Sequence, residues 1–270
     1  MNILVCGDVV GKSGREAVAT HLPGLRRELQ LDVAIVNAEN AAHGFGLSEK
    51  LAGELYECGA DILTTGNHVW DQRELIQQID RDPRILRPAN FPPGTPGQGT
   101  RLHALGDGRQ VLVINLMGRL FMDQLDCPFR GLDAIVAGRA LGGGTAIVLD
   151  FHAEATSEKN AMGHYADGRV SAVIGTHTHI PTADNRILGG GTAYQTDAGM
   201  CGDYDSVIGM QTAAMVSRFV TKMPGQKPQV ADGEGTLCGV FVVIDDASGL
   251  ARRIEPVRRG GGLAPQVPRM

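Results

Sequence analysis

The chain has 270 residues, 43% of them hydrophobic and 20% charged, with a formal net charge of -5. That length suits one large α/β domain or two small ones, and the mild acidity speaks against a broad nucleic-acid-binding face, which needs a basic excess. Five scattered cysteines, odd in number and never in C-x-x-C spacing, point to a reducing cytoplasmic compartment and away from disulfides or a thiolate zinc site.

In chain order, residues 2–6 (NILVC) read as an apolar strand ending at Gly7-Asp8. The run is too short and too early for a signal peptide, and no span is long enough to cross a membrane. Ser13 and Glu16 have capping-box spacing for a helix through Glu28, which Pro23 should kink or split. Residues 33–36 (VAIV) form a second strand, followed by Glu39-Asn40, a glycine-bearing loop and a helix from about Ser48 to Cys58. Residues 61–64 (DILT) form a third, followed by Gly66-Asn67-His68 and a helix that Asp71 and Glu74 would cap. RPANFPPGTPGQG is a long surface or site-lining loop. Further strands are expected at 111–115, 145–149, 171–174 and 192–195, a helix over 206–222, and a hairpin pairing 236–245 with 250–257. Strands alternating with helices indicate an α/β protein with a mostly parallel sheet. No linker divides the chain, so one domain is expected over 1–258, with a weakly ordered tail over 259–270.

The stretch GDVVGKS near the N-terminus looks like a phosphate-binding P-loop but lacks its spacing. Four residues must separate the first glycine from the Gly-Lys pair, and counting back from Gly11-Lys12 finds Cys6. A dinucleotide fingerprint fails in the same way.

Where the polar residues fall is more informative. Asp8 follows the first strand, Glu39-Asn40 the second and Asn67-His68 the third. His152 follows AIVLDF, and His177-Thr178-His179 follows AVIG. In an open parallel sheet the carboxyl ends of the strands lie along one edge, where ligands bind. Five separated clusters would converge there on one metal site. Each has a plainer alternative: Asp8 or the Gly66-Asn67-His68 stretch as a turn, Glu39-Asn40 as a solvated pair. His177 and His179 resist it, because alternate residues of a strand face the same way. His21, His103 and His164 lie off the pattern. His43, Asn90 and Phe91 are candidate substrate contacts.

The order Asp8, Glu39-Asn40, GNH at 66–68, His152 and HTH at 177–179 resembles the calcineurin-like metallophosphoesterases. The signature of that superfamily is D-x-H, G-D-x-x-D, G-N-H-[DE], a lone His and G-H-x-H. Here Val10 stands for the first histidine, Glu39 for the bridging aspartate, and Val69 for the acid after GNH. With NAENAAHGFGL, GNHVWDQRE, DFHAEATSEK and TDAGMCGDYDSVIGM, those departures resemble the YmdB-like branch. The resemblance covers the chain up to about residue 245. It implies a two-sheet sandwich in four α/β/β/α layers and a two-metal phosphodiesterase acting on small cyclic nucleotides, including 2′,3′-cyclic ones. It also implies that Asp8, Glu39, Asn40 and His179 hold one metal, and that Glu39, Asn67, His152 and His177 hold the other. Glu39 would bridge, and His68 would be left as proton donor, with Asp71 either orienting it or capping the next helix.

Hydrolysing a phosphodiester requires neutralising an anion, activating water and protonating an alkoxide. Two divalent ions roughly 3.5–4 Å apart do the first two. Two dications less Asp8, Glu39 and a hydroxide leave about one positive charge, which suits a monoanionic diester. Oxygen and imidazole ligands without thiolate favour manganese or iron, with zinc admissible. The expected partner is a small phosphodiester, with no extended nucleic-acid surface and no membrane. The segment over 196–210 would close over the site, form a homo-oligomer contact or make a structural turn. Two rival readings are a metal-dependent amidohydrolase, whose H-x-H lies on its first barrel strand, and a signalling or RNA-linked regulator that keeps the fold.

Overall fold

The computed structural model describes residues 1–223, 225 and 227–270. Its first half runs β1 (Asn2–Cys6), β2 (Asp8–Val9), α1 (Gly11–Glu28), β3 (Val33–Asn37), α2 (Glu49–Glu57), β4 (Ile62–Thr64), α3 (Arg73–Gln78) and β5 (Ile85–Leu86). Then follow β6 (Thr100–Ala104), β7 (Gln110–Met117), α4 (Pro128–Val136), β8 (Thr145–His152), α5 (Thr156–Ala166) and β9 (Ala172–Thr176). The chain ends with β10 (Arg186–Ile187), β11 (Ala193–Gln195), β12 (Met200–Cys201), α6 (Thr212–Thr221), β13 (Leu237–Ile244) and β14 (Ala251–Arg259).

These strands build two six-stranded sheets, ordered β14-β13-β1-β3-β4-β5 and β10-β11-β9-β8-β7-β6. Both are mixed: β1, β3, β4 and β5 run parallel, as do β7, β8, β9 and β11, while β13, β14, β6 and β10 pair antiparallel toward the edges. Side-chain alternation then sets the layers. Ile3, Val5, Val33 and Ile35 of the first sheet meet Val111, Val113, Val148 and Ile174 of the second in a buried seam. On the outer face of the first sheet Leu4, Val36 and Leu63 pack with Val18, Leu22, Leu25 and Leu55 of α1 and α2. On the outer face of the second, Ile114, Ile147 and Leu149 pack with Leu132 of α4 and Met162 of α5. Each fully buried side chain of this kind contributes about 1.5–3 kcal/mol. The result is the expected sandwich, helices on sheet on sheet on helices, and not a (β/α)8 barrel. The amidohydrolase reading falls with it.

Several local expectations are corrected. Helix α1 begins at Gly11 with Val10 at its cap and no capping side chain, and it runs unbroken through Pro23. Ser13 donates instead to the carbonyl of Gly233 at 2.7 Å. Helix α6 starts at Thr212 and not at 206, because Ile208 and Gly209 take left-handed backbone conformations, with φ of 49° and 92°. The turn is tied by a 2.8 Å bond from the Gly209 N–H to the Ser206 hydroxyl. Helices α4 and α5 were not anticipated. Beyond β14, Arg258 and Gln266 exchange backbone hydrogen bonds of 2.7 and 2.9 Å, and Val267 packs on the core. Among the described residues, no helix is long and apolar enough to cross a membrane.

Candidate metal centre

The carboxyl ends of β1, β3, β4, β8 and β9 carry the site residues to one end of the sandwich. Two glycines permit the approach. A Cβ on Gly66 would sit 2.2 Å from the His152 ring and 2.5 Å from Glu39 Oε2, so only glycine fits between strand β4 and the centre. On Gly7 it would meet the Gly199 carbonyl oxygen at 1.8 Å. Beyond Gly7, β2 pairs in parallel with β12, which holds Asp8 in place.

Asp8, Glu39 and His152 are fully buried, and Asn40 and His179 nearly so. Asp8 Oδ2 accepts from the His177 backbone N–H at 3.1 Å, and Glu39 Oε2 from the His68 backbone N–H at 3.0 Å. Asn40 Nδ2 donates to the Gly44 carbonyl at 2.8 Å, which turns its oxygen inward. Of the remaining atoms, Asp8 Oδ1 and Asn40 Oδ1 are buried with no hydrogen-bond partner, and Glu39 Oε1 has only the His152 ring beside it. Leaving a buried oxygen unsatisfied costs about 1–3 kcal/mol, so two such oxygens beside a buried carboxylate and imidazole mark a ligand site. His152 Nε2 lies 2.9 Å from Glu39 Oε1 and 3.0 Å from Asn67 Oδ1. Ligand atoms at right angles about a cation with bonds of roughly 2.1 Å stand about 3 Å apart. Donor atoms of Glu39, His152 and His177 also lie within 4.8 Å of one another. The donor set is oxygen and imidazole throughout, and it fits divalent cations.

Hydrogen bonds choose the tautomers. Thr176 Oγ1 donates to Asp150 Oδ1 at 2.7 Å, so it can only accept from His152 Nδ1, 2.9 Å away. That leaves His152 Nε2 as the atom facing Glu39 and Asn67, the one that would lose its proton and offer a lone pair to a cation. His179 Nδ1 donates to the Ile208 carbonyl at 2.8 Å, which frees its Nε2 likewise. Asp150 is itself bonded by Thr64 and Asn37, so it joins β3 and β4 of one sheet to β8 and β9 of the other. Burial raises its carboxyl above the usual range. Sequence reasoning missed this residue, although its signal is visible: an acid two positions before His152 in an otherwise apolar strand.

The site's charges are strongly perturbed. Burial raises Asp8 to about 6, against the opposing pull of His179 and His152. Burial also works to raise Glu39, but His152 and His68 outweigh it and hold that carboxyl at about 2. Burial disfavours a charged His152, yet Glu39, Asp8 and Asp150 lift it to about 9. His177 is lowered to about 3 by burial and by His152.

The premise for His177 and His179 was wrong. Strand β9 ends at Thr176, and both histidines follow it at φ of 97° and 66°. A left-handed turn, not strand alternation, brings them inward. The turn is secured by Asp197, whose Oδ2 accepts from the Thr178 N–H and hydroxyl at 3.1 and 2.8 Å and from Lys159 Nζ at 2.7 Å. The segment over 196–210 thus supports the site through Asp197, β12 and the Ile208 carbonyl.

His68 lines the cleft with its Nδ1 2.8 Å from Asp71 Oδ2, while Phe45 stacks edge-on at 5.1 Å. Gln72 and not Asp71 stands at the N-cap position of α3, with no capping side-chain bond, so Asp71 serves His68 and not the helix. The cleft, about 230 Å³, is lined by Glu39, Asn40, Phe45, His68, His177 and His179, and on its far side by Met215 and Arg218. His43 lies on an exposed loop at φ 54° and lines a neighbouring cavity. Asn90 and Phe91 do not join the site. Asn90 spends its amide on the Met117 and Asp126 carbonyls and the Met117 N–H, and Phe91 packs against Trp70.

A family model described as YmdB-like protein matches residues 4–257. The chain is 49% identical over 257 residues to a 2′,3′-cyclic-nucleotide 2′-phosphodiesterase of Bacillus subtilis, covering 95% of this chain and 96% of that protein. Among solved structures it resembles a hypothetical protein of Thermus thermophilus, with a TM-score of 0.90 and 41% identity over 97% of this chain and all of that one. It also resembles a phosphatase of Mycoplasma pneumoniae, with a TM-score of 0.89 and 34% identity over 96% and 93% of the two chains.

Proposed function

The chain belongs to the YmdB-like family, and from that premise we propose that it is a metal-dependent phosphodiesterase acting on 2′,3′-cyclic nucleotides. The observation that carries the reading is the pair of partnerless buried oxygens from Asp8 and Asn40, gathered with the Glu39 carboxylate beside two histidines with committed Nδ1 atoms. Asp8, Glu39, Asn40 and His179 would hold one divalent cation, and Glu39, Asn67, His152 and His177 the other. Manganese or iron suits these donors best, with zinc admissible. Bound there, two divalent cations supply the charge that neutralises the phosphoryl group and lowers the pKa of water.

The remaining work falls to the chain's own residues. Hydrolysis adds a water oxygen to phosphorus and breaks the P–O2′ bond, giving a nucleoside 3′-phosphate. O2′ leaves as a poor leaving group unless it is protonated. His68 has Nδ1 committed to Asp71, so its Nε2 is the atom that delivers that proton, an effect worth roughly a hundredfold or more. Phe45 packs edge-on against the ring. The five free cysteines fit a reducing cytoplasm.

Elemental analysis of the purified protein, with a phosphodiester panel, tests the reading. Two equivalents of transition metal and conversion of 2′,3′-cyclic AMP to the 3′-phosphate are expected. Metal-loaded protein that leaves every cyclic nucleotide intact would refute it.

A further inference from the structure

The candidate metal cleft has a neighbouring pocket. Arg218 and Pro228, which line it, also line a second pocket of about 500 Å³. That pocket's other side chains include Lys222, Lys227 and Phe219, and among the described residues no carboxylate lines it. Three cations are therefore gathered beside the centre in a protein whose net charge is -5. Phe219, on α6, is 61% exposed, and Lys222 Nζ rests 5.6 Å from its ring centroid. The larger cavity on the His43 side carries Lys12 and Lys227 but also Asp71 and Asp232, so its charge is mixed.

A local cationic pocket with an exposed aromatic face is the arrangement that holds single-stranded nucleic acid: cations follow the phosphates and a base stacks on the ring. A 2′,3′-cyclic phosphate can end an RNA chain, and such a substrate continues through the 5′-oxygen of its last nucleoside. We propose that the Arg218–Lys222–Lys227 pocket binds the adjoining phosphodiester and that Phe219 stacks the preceding base. The preferred substrate is then a single-stranded oligoribonucleotide ending in a 2′,3′-cyclic phosphate, and a free cyclic mononucleotide is the minimal one. The inference rests on the phosphodiesterase reading. It also narrows the sequence-based expectation of no nucleic-acid surface: overall acidity excludes a broad face but not three residues at the lip of a cleft.

The test uses the metal-loaded full chain with cyclic-phosphate mono- and triribonucleotides. Binding of a fluorescein-labelled triribonucleotide with a 3′-phosphate, which this reaction cannot hydrolyse, is followed in parallel by anisotropy. KM should be at least tenfold lower for the trinucleotide, and neutralising one further phosphodiester predicts a slope of log affinity against log salt about 0.7 more negative than that of a labelled 3′-mononucleotide. The double variant Lys222→Ala/Lys227→Ala should bring the KM ratio toward one and remove that extra salt dependence. Phe219→Ala should weaken the labelled RNA roughly tenfold. Equal KM at all lengths, or binding indifferent to the lysine pair, overturns the proposal. So does a wild-type dimer that Phe219→Ala converts to a monomer while the length series stays flat, since α6 would then be a contact between copies. Salt-sensitive, lysine-dependent binding without hydrolysis of any cyclic phosphate supports the subsite and refutes the reaction.

Discussion

The Nδ1 of His152 lies 2.9 Å from the Thr176 hydroxyl, which in turn donates to the buried carboxylate of Asp150. This relay determines which nitrogen of His152 faces the centre, and Thr176→Val would break it with little change in volume. Metal affinity should fall about 10- to 100-fold, measured by chelator competition. Unchanged affinity would mean that the tautomer is set elsewhere.

His68 is expected to act on the leaving group and not on metal. His68→Asn should retain both metals and lose about a hundredfold in kcat on a 2′,3′-cyclic nucleotide. The loss should be much smaller on bis-p-nitrophenyl phosphate, whose nitrophenolate departs without a proton. Asp71→Asn should show the same substrate dependence in weaker form. Equal losses on both substrates would remove His68 from the role of acid.

The raised pKa values of Asp8 and His152, about 6 and about 9, oppose metal binding at low pH, because both must be deprotonated to serve as ligands. Metal affinity should therefore climb as pH rises from 5 toward 9. The metal-free protein should behave in the opposite way. His152 contributes stability fully present below its ordinary pKa of 6.5 and lost as pH passes through about 9. Urea titrations of chelator-treated protein should show stability declining between pH 6.5 and 9, and a rise there would contradict the assignment.

Lys159 and Asp197 form a buried ion pair at 2.7 Å, both essentially inaccessible to solvent. Lys159→Met would leave a carboxylate uncompensated beneath the His177–His179 turn. The expected loss is about 3–5 kcal/mol, read from chemical denaturation. A loss below 1 kcal/mol would show that the Thr178 and Gly199 donors suffice for Asp197.

Gly66→Ala forces a Cβ to within 2.2 Å of the His152 ring and 2.5 Å of Glu39. Metal content should drop below one equivalent by elemental analysis. Full occupancy would require a backbone shift that the packed end of β4 does not offer.

Much of the centre was legible before folding was considered. Asp8, Glu39, Asn40, Asn67, His68, His177 and His179 come just after the end of a parallel strand and His152 ends one, and parallel strands carry whatever stands at their carboxyl ends to one edge. Short continuous apolar runs likewise implied the central strands, because parallel strands covered on both faces read that way. Other features were invisible because they depend on partners far away in sequence. Asp150 meets Asn37 across 113 positions, and Asp197 meets Lys159 across 38. Capping patterns misled at Ser13 and Asp71, where a distant carbonyl and a nearby imidazole competed successfully for the side chain. The sequence by itself determined which donors were available and at which strand ends. Only the tertiary structure decided which atom of each donor faces the centre, because a histidine tautomer or an amide orientation is set by the group that binds its other side.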